Sequence, residues 1–324
     1  MTKVSVIGAG AWGTALAMSA GRAGCDVMLW ARESEVVECI NKNHENSVFF
    51  PGVTLEDSIT ATSDINDTID SDIVLLVSPA QFLRSTCEEL KNTTINKNSP
   101  LLICSKGIEQ GSLKLMSEVV SEILPNPVCI LSGPTFSTEV ANNLPTFVNI
   151  ACDSQKMGNM LAEKLSSPKF KLRYCDDVIG AQIGGAVKNV IAIACGIADG
   201  KGMGENARSA LIIGGLREME QLCLAKGGKI ETIMRLCGIG DLILTCSSKQ
   251  SRNNSLGFEL GQGKSLQQII EERKTVAEGV ASSESVSQLA RNLGLRMPIC
   301  EAVHHILHEG GAIEEAIAEV IKAY

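Results

Sequence analysis

Short apolar runs alternate with helical patterns through the first half of this 324-residue chain. The runs are almost wholly apolar, which is typical of strands whose two faces are both covered in a parallel sheet. Strands are predicted at Lys3–Gly8, Asp26–Ala31, Ile59–Thr62, Asp72–Ser78, Leu101–Ser105 and Val128–Leu131, with two more near Phe147–Cys152 and Phe170–Tyr174. Helical patterns between them include Thr14–Ala23, Ser34–Asn43 and Gln81–Lys91. This order of elements predicts a doubly wound α/β domain.

The second half of the chain has a different character. From Gly180 to Tyr324 the spacing of apolar residues is helical, and no convincing strand pattern occurs. Two stretches interrupt it, the Gly-rich Gly196–Gly204 and the polar Ser247–Ser255. We therefore expect two domains, an α/β domain over residues 1–178 and an all-helical domain over residues 179–324, which agrees with a prior of roughly 150 residues per domain.

Charge and composition narrow the classes of partner. The chain has 29 basic and 37 acidic residues, a net charge of −8, and only 7 Phe, 2 Trp and 2 Tyr. This balance argues against nucleic-acid binding, which needs a positive field or a stacking surface. The longest apolar runs, such as Ile73–Val77 and Val190–Cys195, are shorter than the roughly 20 residues that span a bilayer. We expect a soluble protein without membrane insertion.

The 12 cysteines follow no metal or redox spacing. The nearest two, Cys237 and Cys246, are too far apart for a CxxC motif, and most of the others lie in apolar surroundings. Such cysteines behave as small hydrophobic residues. A strand pattern begins at Lys3 without a preceding leader-like segment. Both observations favour reduced core cysteines in a cytoplasmic protein over a disulfide framework.

The first predicted strand runs directly into a glycine motif. Residues 8–13 read Gly-Ala-Gly-Ala-Trp-Gly, a GxGxxG placed between a strand and a helix. In that setting the glycines permit a tight turn, close approach of a pyrophosphate and close packing of helix on strand. The helix N-terminus then offers N–H groups to the phosphates. We interpret Gly8, Gly10 and Gly13 as the turn of a Rossmann-like dinucleotide site; a glycine turn that only packs is the alternative.

The end of the second strand bears on the choice of dinucleotide. An acidic residue there accepts the ribose 2′-hydroxyl of NAD, whereas an arginine accommodates the 2′-phosphate of NADP. Arg32 and then Glu33 follow directly after this strand. The sequence therefore favours NADPH, with NADH possible because of Glu33. The alternative is that Arg32 is an ordinary solvated charge.

Two lysines are candidates for proton transfer to a carbonyl oxygen, a role that requires a side chain with a suitable pKa. Lys188 is the single charge within the apolar run Ile183–Ala194. Burial there disfavours the ammonium form unless the side chain faces a site or snorkels to the surface. Lys106 follows the fifth strand, at the sheet edge where α/β proteins bind ligands.

Motifs along nearly the whole chain resemble one family. They are the turn continuing to Ala17, Ser105-Lys106-Gly107, Ser132-Gly133-Pro134-Thr135-Phe136, Val187-Lys188-Asn189-Val190, Gly240-Asp241-Leu242 and Ser251-Arg252-Asn253. Together they are similar to the bacterial-type NAD(P)-dependent glycerol-3-phosphate dehydrogenases. The resemblance implies reversible reduction of dihydroxyacetone phosphate to sn-glycerol 3-phosphate, a precursor of glycerophospholipids, by a cytoplasmic homodimer.

The resemblance also implies roles for individual residues. Lys188 would be the general acid and base, Lys106 would orient the substrate beside the nicotinamide, and Asp241 would tune both lysines. Substrate contacts are implied for Lys106, Gly133, Thr135, Lys188, Asp241, Thr245, Ser251, Arg252 and Asn253. Cofactor contacts are implied for Gly8, Gly10, Ala11, Trp12, Gly13, Arg32, Lys106, Ser137, Arg252, Val276 and Glu278.

Three alternatives stay open from the residues alone. The first is another two-domain reductase, of the hydroxyacid or 6-phosphogluconate type, which Arg252-Asn253 and the lysines argue against. The second is a catalytically silent NAD(P)-binding redox sensor, because fold does not imply function. The third concerns Cys300, His304 and His308, which share a helix face with Glu301 nearby. We interpret that face as solvated or partly packed, and a metal site as the lesser alternative.

Overall fold

The computed structural model describes residues 1–273 and 277–323. The chain forms two compact units. The first comprises Met1–Ser105 and Met116–Val178, and the second comprises Lys106–Leu115 and the described residues after Val178. Residues 106–115, which the sequence predicts in the first domain, belong with the second unit, because the buried side chains of Ile108, Leu113 and Leu115 are part of its hydrophobic core.

The first unit is built on an eight-stranded sheet. Its strands are β1 (Lys3–Ile7), β2 (Asp26–Trp30), β3 (Ile59–Thr62), β4 (Ile73–Leu76), β5 (Leu101–Ile103), β6 (Val128–Ser132), β7 (Thr146–Ala151) and β8 (Phe170–Cys175). They lie in the order β3-β2-β1-β4-β5-β6-β7-β8. The doubly wound order confirms the predicted fold. One feature was not predicted: β7 runs antiparallel to β6, while every other neighbouring pair is parallel.

Helices cover this sheet. They are α1 (Ala11–Arg22), α2 (Ser34–Asn43), α3 (Leu83–Lys91), α4 (Met116–Ile123), α5 (Ser137–Ala141) and α6 (Gln155–Leu165). Helix α1 begins at Ala11, three residues before the predicted start at Thr14, so the last glycine of the GxGxxG motif lies inside the helix. The motif is thus the turn and the first helical residues together.

The second unit is helical, as predicted. Its helices are α7 (Val178–Gly200), α8 (Gly204–Ala225), α9 (Ile230–Ile233), α10 (Asp241–Cys246), α11 (Arg252–Gly261), α12 (Leu266–Glu272), α13 (Glu278–Asn292), α14 (Pro298–His308) and α15 (Ile313–Ala323). A π-helical turn, Leu236–Gly240, leads directly into α10. Among the described residues of this unit the sole β-type pairing is the isolated bridge between Ile108 and Leu115.

Helix α7 forms the centre of the second unit. Eighteen of its 23 residues are buried, and its apolar side chains belong to the core of that unit. By length and composition it is the one described helix that is apolar enough to cross a bilayer. The segment does not stand out as one apolar run in the sequence, because glycines, Gln182, Lys188 and Asn189 interrupt it. Most of its surface is covered by protein, which is the ordinary setting of a core helix.

Glycines bring α7 and α11 into backbone contact. A Cβ on Gly196 of α7 would lie 2.0 Å from the carbonyl oxygen of Asn254, and a Cβ on Gly257 of α11 would lie 2.1 Å from that of Ile193. No side chain larger than hydrogen fits such a contact. The close packing holds the start of α11 against the turn of α7 that follows Lys188.

Candidate active site

The glycine turn between β1 and α1 leaves room for a phosphate group. A Cβ on Gly13 would lie 1.8 Å from the carbonyl oxygen of Gly8, so the helix packs directly on the end of the strand. A Cβ on Gly10 would meet nothing within 4 Å, and no side chain caps the N-terminus of α1. Open space beside free helix N–H groups fits the pyrophosphate of a dinucleotide.

Asn46 supports this turn and was not anticipated from the sequence. Its side chain is fully buried, and its Nδ2 donates to the carbonyl oxygen of Ala9 at 2.9 Å and to Oγ1 of Thr14 at 2.8 Å. It lies 37 residues after Ala9 and outside any motif, so nothing local in the sequence marks it. The contact ties the loop after α2 to the glycine turn.

Arg32 follows β2, as predicted, and its side chain is exposed. Its Nη2 donates to Oε1 of Glu89 at 2.5 Å, and its guanidinium lies 5.5 Å from the centroid of the Trp30 ring. Both partners orient the guanidinium. An exposed ion pair of this kind contributes roughly 0–1 kcal/mol, so it is weak enough for a phosphate to displace Glu89.

The second unit gathers two ammonium groups around one carboxylate. Nζ of Lys188 donates to Oδ1 of Asp241 at 2.5 Å, and Nζ of Lys106 donates to Oδ2 of the same carboxylate at 2.7 Å. Nζ of Lys188 also donates to Oγ1 of Thr245 at 3.0 Å, and that hydroxyl donates to the carbonyl oxygen of Asp241 at 2.6 Å. The three residues expected to carry the chemistry, Lys188, Lys106 and Asp241, therefore form one cluster with the expected substrate contact Thr245, which we call the lysine–aspartate cluster.

Local backbone geometry places Asp241 in this cluster. A Cβ on Gly184 of α7 would lie 2.2 Å from the carbonyl oxygen of Cys237, so the π-helical turn packs against the backbone of α7. The turn ends where α10 begins, and Asp241 is the first residue of α10. Insertions of π-helix are often found at functional sites. Here the turn brings a fully buried carboxylate to Lys188, one helical turn after Gly184.

Burial controls the ionisation of Lys188. The pKa of its ammonium falls from 10.5 to about 8, because desolvation, the largest effect, and the positive charge of Lys106 together outweigh the attraction of Asp241. The side chain is only 6% exposed. A lysine poised near neutral pH can give and take a proton, as a general acid and base must.

The start of α11 presents Arg252, whose side chain is exposed and free to turn toward an anion. Its neighbours are engaged within the protein. Ser251 caps α11, its Oγ accepting from the N–H of Asn254, and Asn253 is held from both ends of its amide. Nδ2 of Asn253 donates to Oδ1 of Asn189, and its Oδ1 accepts from the N–H of Gly279, each at 2.9 Å.

Asn189 is a second residue that the sequence analysis did not assign. It follows Lys188 on α7, is buried, and holds the amide of Asn253. The sequence does contain a signal for it: Asn189 is a second polar residue, next to Lys188, within an apolar run.

The remaining predicted site residues divide between the units. In the first, Gly133 follows β6 at φ +155°, and a Cβ there would lie 3.0 Å from Cα of Val148. Thr135 donates to the carbonyl oxygen of Gly133 at 3.4 Å, and Ser137 begins α5. Ala11 and Trp12 begin α1. In the second unit Glu278 begins α13. Val276 lies outside the described residues.

The histidine face of α14 is packed and hydrogen-bonded. His304 is buried beside His308, and burial lowers its pKa. Nε2 of His308 lies 2.9 Å from Oγ of Ser283, and Nδ1 of His305 lies 2.7 Å from Oε2 of Glu309. Within residues 1–273 and 277–323 no group of three or more His, Cys, Asp or Glu side chains is arranged to hold a metal ion. The histidine face is therefore partly packed, with His304 buried and His308 exposed.

A dinucleotide turn on a doubly wound sheet, together with a helical unit carrying the lysine–aspartate cluster, defines a two-domain, dinucleotide-dependent dehydrogenase. Comparisons with known proteins identify the family of dehydrogenases to which the chain belongs. Residues 3–158 match the N-terminal region, and residues 177–318 the C-terminal region, of the family described as NAD-dependent glycerol-3-phosphate dehydrogenase. The chain belongs to this family.

Individual relatives agree with that assignment. The chain is 51% identical over 320 residues to the glycerol-3-phosphate dehydrogenase [NAD(P)+] of Caulobacter vibrioides, covering 98% of this chain and 96% of the relative. It is 48% identical over 319 residues to the enzyme of the same name from Maricaulis maris, with the same coverage. The crystal structure of glycerol-3-phosphate dehydrogenase from Coxiella burnetii superposes with a TM-score of 0.94 at 36% identity, covering 99% of this chain and 98% of that one.

Proposed function

We propose that this protein is an oxidoreductase that reversibly reduces dihydroxyacetone phosphate to sn-glycerol 3-phosphate with NADPH or NADH. The observation that carries the proposal is the lysine–aspartate cluster, in which a buried lysine of lowered pKa is held by a carboxylate and a threonine hydroxyl. Membership of the glycerol-3-phosphate dehydrogenase family supports the substrate.

When bound, the reduced nicotinamide supplies the hydride. The chain supplies the proton: Nζ of Lys188 donates it to the carbonyl oxygen as that oxygen becomes an alkoxide, and recovers it in the reverse direction. Asp241 keeps Lys188 charged enough to donate and holds Nζ in place. Lys106, bonded to the other carboxylate oxygen, adds a positive charge that stabilises the developing alkoxide.

The phosphate of the substrate is assigned to Arg252, because a guanidinium offers several N–H donors in a planar fork that matches phosphate oxygens. Asn189 and Gly279 fix the amide of Asn253, which follows Arg252 in the chain. Further substrate contacts are proposed for Gly133, Thr135, Thr245 and Ser251. Cofactor contacts are proposed for Gly8, Gly10, Ala11, Trp12, Gly13, Arg32, Lys106, Ser137, Arg252, Val276 and Glu278.

We further propose that NADPH is the preferred cofactor, since the exposed Arg32 can exchange Glu89 for a ribose 2′-phosphate. None of the twelve cysteines forms a disulfide, which supports a cytoplasmic setting, where the product would enter glycerophospholipid synthesis. A homodimer is the proposed assembly, and a light-scattering mass equal to that of one chain would exclude it. Recovery of the native protein from the membrane or secreted fraction would exclude the cytoplasm.

The test is a turnover assay that follows oxidation of NADPH, and then of NADH, with dihydroxyacetone phosphate as acceptor. We expect turnover with both, and a higher kcat/KM with NADPH. Lys188→Ala should lower kcat by about 10³-fold, within the range for loss of a general acid, while NADPH binding measured by fluorescence titration stays unchanged. Lys156→Ala, at an exposed lysine of α6, is the matched control and should behave as wild type.

The same assay separates the alternatives. Folded protein that binds NADPH but reduces no carbonyl substrate would be a sensor instead of an enzyme. Equal turnover with unphosphorylated dihydroxyacetone would show that the enzyme does not recognise the substrate phosphate. Turnover with 2-keto acids alone would identify a hydroxyacid dehydrogenase. A Lys188→Ala variant with unchanged kcat would show that the proton comes from another group.

A further inference from the structure

An apolar groove of about 440 Å³ lies in the second unit, away from the lysine–aspartate cluster. It is lined by residues of α7, α8, α14 and α15 and by Met203. Of the 18 residues that line it, 17 are Ala, Gly, Val, Ile, Leu or Met. The volume is within the range of small-molecule sites, roughly 300–1,000 Å³. A concave apolar surface open to water is unfavourable unless something covers it.

One charged residue borders the groove, and it is Arg217. Nearby cations on the same surface are paired, Lys201 with Glu314 and Arg208 with Asp199. Arg217 has no ion pair with any described residue of the chain, although its side chain is exposed. A single unpaired guanidinium beside an apolar groove complements a ligand that is apolar along its length and carries one negative charge.

The dimensions suit a single alkyl chain. Along α8 the lining runs from Ala207 to Arg217, ten residues or about 15 Å at the helical rise. Two acyl chains end to end span the roughly 30 Å hydrocarbon core of a bilayer, so one chain is about as long as this part of the groove. Arg217 is the last lining residue on α8, which places the charge at one end.

We propose that this groove binds a fatty acid of medium to long chain, with the alkyl chain in the groove and the carboxylate on Arg217. One arginine balances one negative charge, which favours a carboxylate over a phosphate dianion. The groove and the lysine–aspartate cluster share α7: Ile197, which lines the groove, lies nine residues after Lys188, on the opposite face of that helix. The proposal does not depend on the proposed substrate.

The test is calorimetric titration of the intact protein with dodecanoate below its micellar concentration. We expect one saturable site per chain, and octanoate should bind more weakly by up to about fourfold for each methylene removed. Arg217→Gln should weaken binding about fivefold, and Ala210→Trp, which fills the groove, by at least tenfold. Leu224→Trp, on the exposed face of α8 outside the groove, is the matched control and should bind as wild type.

Several results would overturn the proposal. One is the lack of a saturable heat in a folded wild-type protein. Another is equal affinity for dodecanoate and octanoate, or for the wild type and Arg217→Gln; these comparisons hold even if Ala210→Trp does not fold. A third result is a dimer that does not bind dodecanoate and that dissociates into monomers when Ile213 is replaced, as Ile213→Glu. That result would show that a second copy of the chain covers the groove.

Discussion

At the scale of single residues, Lys188 shows how the environment sets chemical behaviour. The sequence marks it as a lone charge in an apolar run, and the structure surrounds it with one attractive and one repulsive charge. Because desolvation is the largest effect, the pKa falls to about 8 despite the contact with Asp241. The same ion pair on the surface would leave a lysine fully protonated at neutral pH.

This ionisation predicts opposite pH dependences for the two directions of the reaction. Reduction needs the ammonium form, so its kcat should fall as pH rises through about 8, the pKa of Lys188, and oxidation should increase over the same range. Since Asp241 raises that pKa, Asp241→Asn should move the falling limb to lower pH in addition to slowing turnover. Pre-steady-state pH profiles of both directions measure this. A limb that stays in place or moves upward would contradict the assignment.

For Asn253 the sequence indicates a role in the site, but it does not predict which residues its side chain contacts. The Ser-Arg-Asn motif implies a substrate contact, and the structure holds both ends of the Asn253 amide within the protein. Its partner Asn189 lies 64 residues earlier in the chain. No local pattern predicts that pairing, because it depends on how α7 and α11 pack.

At the scale of elements, α7 is the helix on which the second unit is organised. It meets the π-helical turn at Gly184 and α11 at Gly196, in both cases through backbone contact. These contacts carry Asp241 and Arg252 to the helix that holds Lys188. The glycines therefore act on the site indirectly, by setting the distance between backbones.

Gly257→Ala tests this packing. The new Cβ would lie 2.1 Å from the carbonyl oxygen of Ile193, so α7 and α11 must separate. We expect a loss of about 2–3 kcal/mol in the free energy of unfolding, at the upper end for overpacked cores, measured by urea denaturation followed by circular dichroism. The matched control is Gly21→Ala in α1, where the new Cβ would meet only side-chain atoms of Ser58 and Glu56, at 3.0 Å or more.

Gly21→Ala should change stability by less than about 1 kcal/mol, since alanine also favours the helix. Equal losses for the two variants would show that the contact between α7 and α11 tolerates a methyl group.

At the scale of the whole molecule, the net charge hides a local concentration of positive charge. A charge of −8 argues against nucleic-acid binding, yet Lys106, Lys188 and Arg252 lie in one unit.

The cysteines behave as the sequence predicted: none forms a disulfide, and all but Cys39 are buried. Burial raises the pKa of Cys87 to about 12, whereas hydrogen bonding to Ser47 lowers the pKa of Cys39.

These differences predict the response to a thiol reagent. Without reductant, native protein should show one fast-reacting thiol, Cys39, because the thiolate is the reactive form and the other eleven thiols are buried. Denatured protein should show all twelve. Titration with a chromogenic disulfide measures both numbers, and Cys39→Ser should remove the fast phase alone. Fewer than twelve thiols in denaturant would reveal a disulfide.

The sequence by itself determined what depends on neighbours along the chain. Strand positions, the turn at Gly8–Gly13 and the helical second half follow from local periodicity and from the geometry of glycine. Tertiary structure decided what depends on distant residues. Lys106 and Asp241 are 135 positions apart, and their contact requires residues 106–115 to join the second unit. The apolar groove likewise exists only where four helices pack, because no pattern within one helix shows which part of its apolar surface stays uncovered.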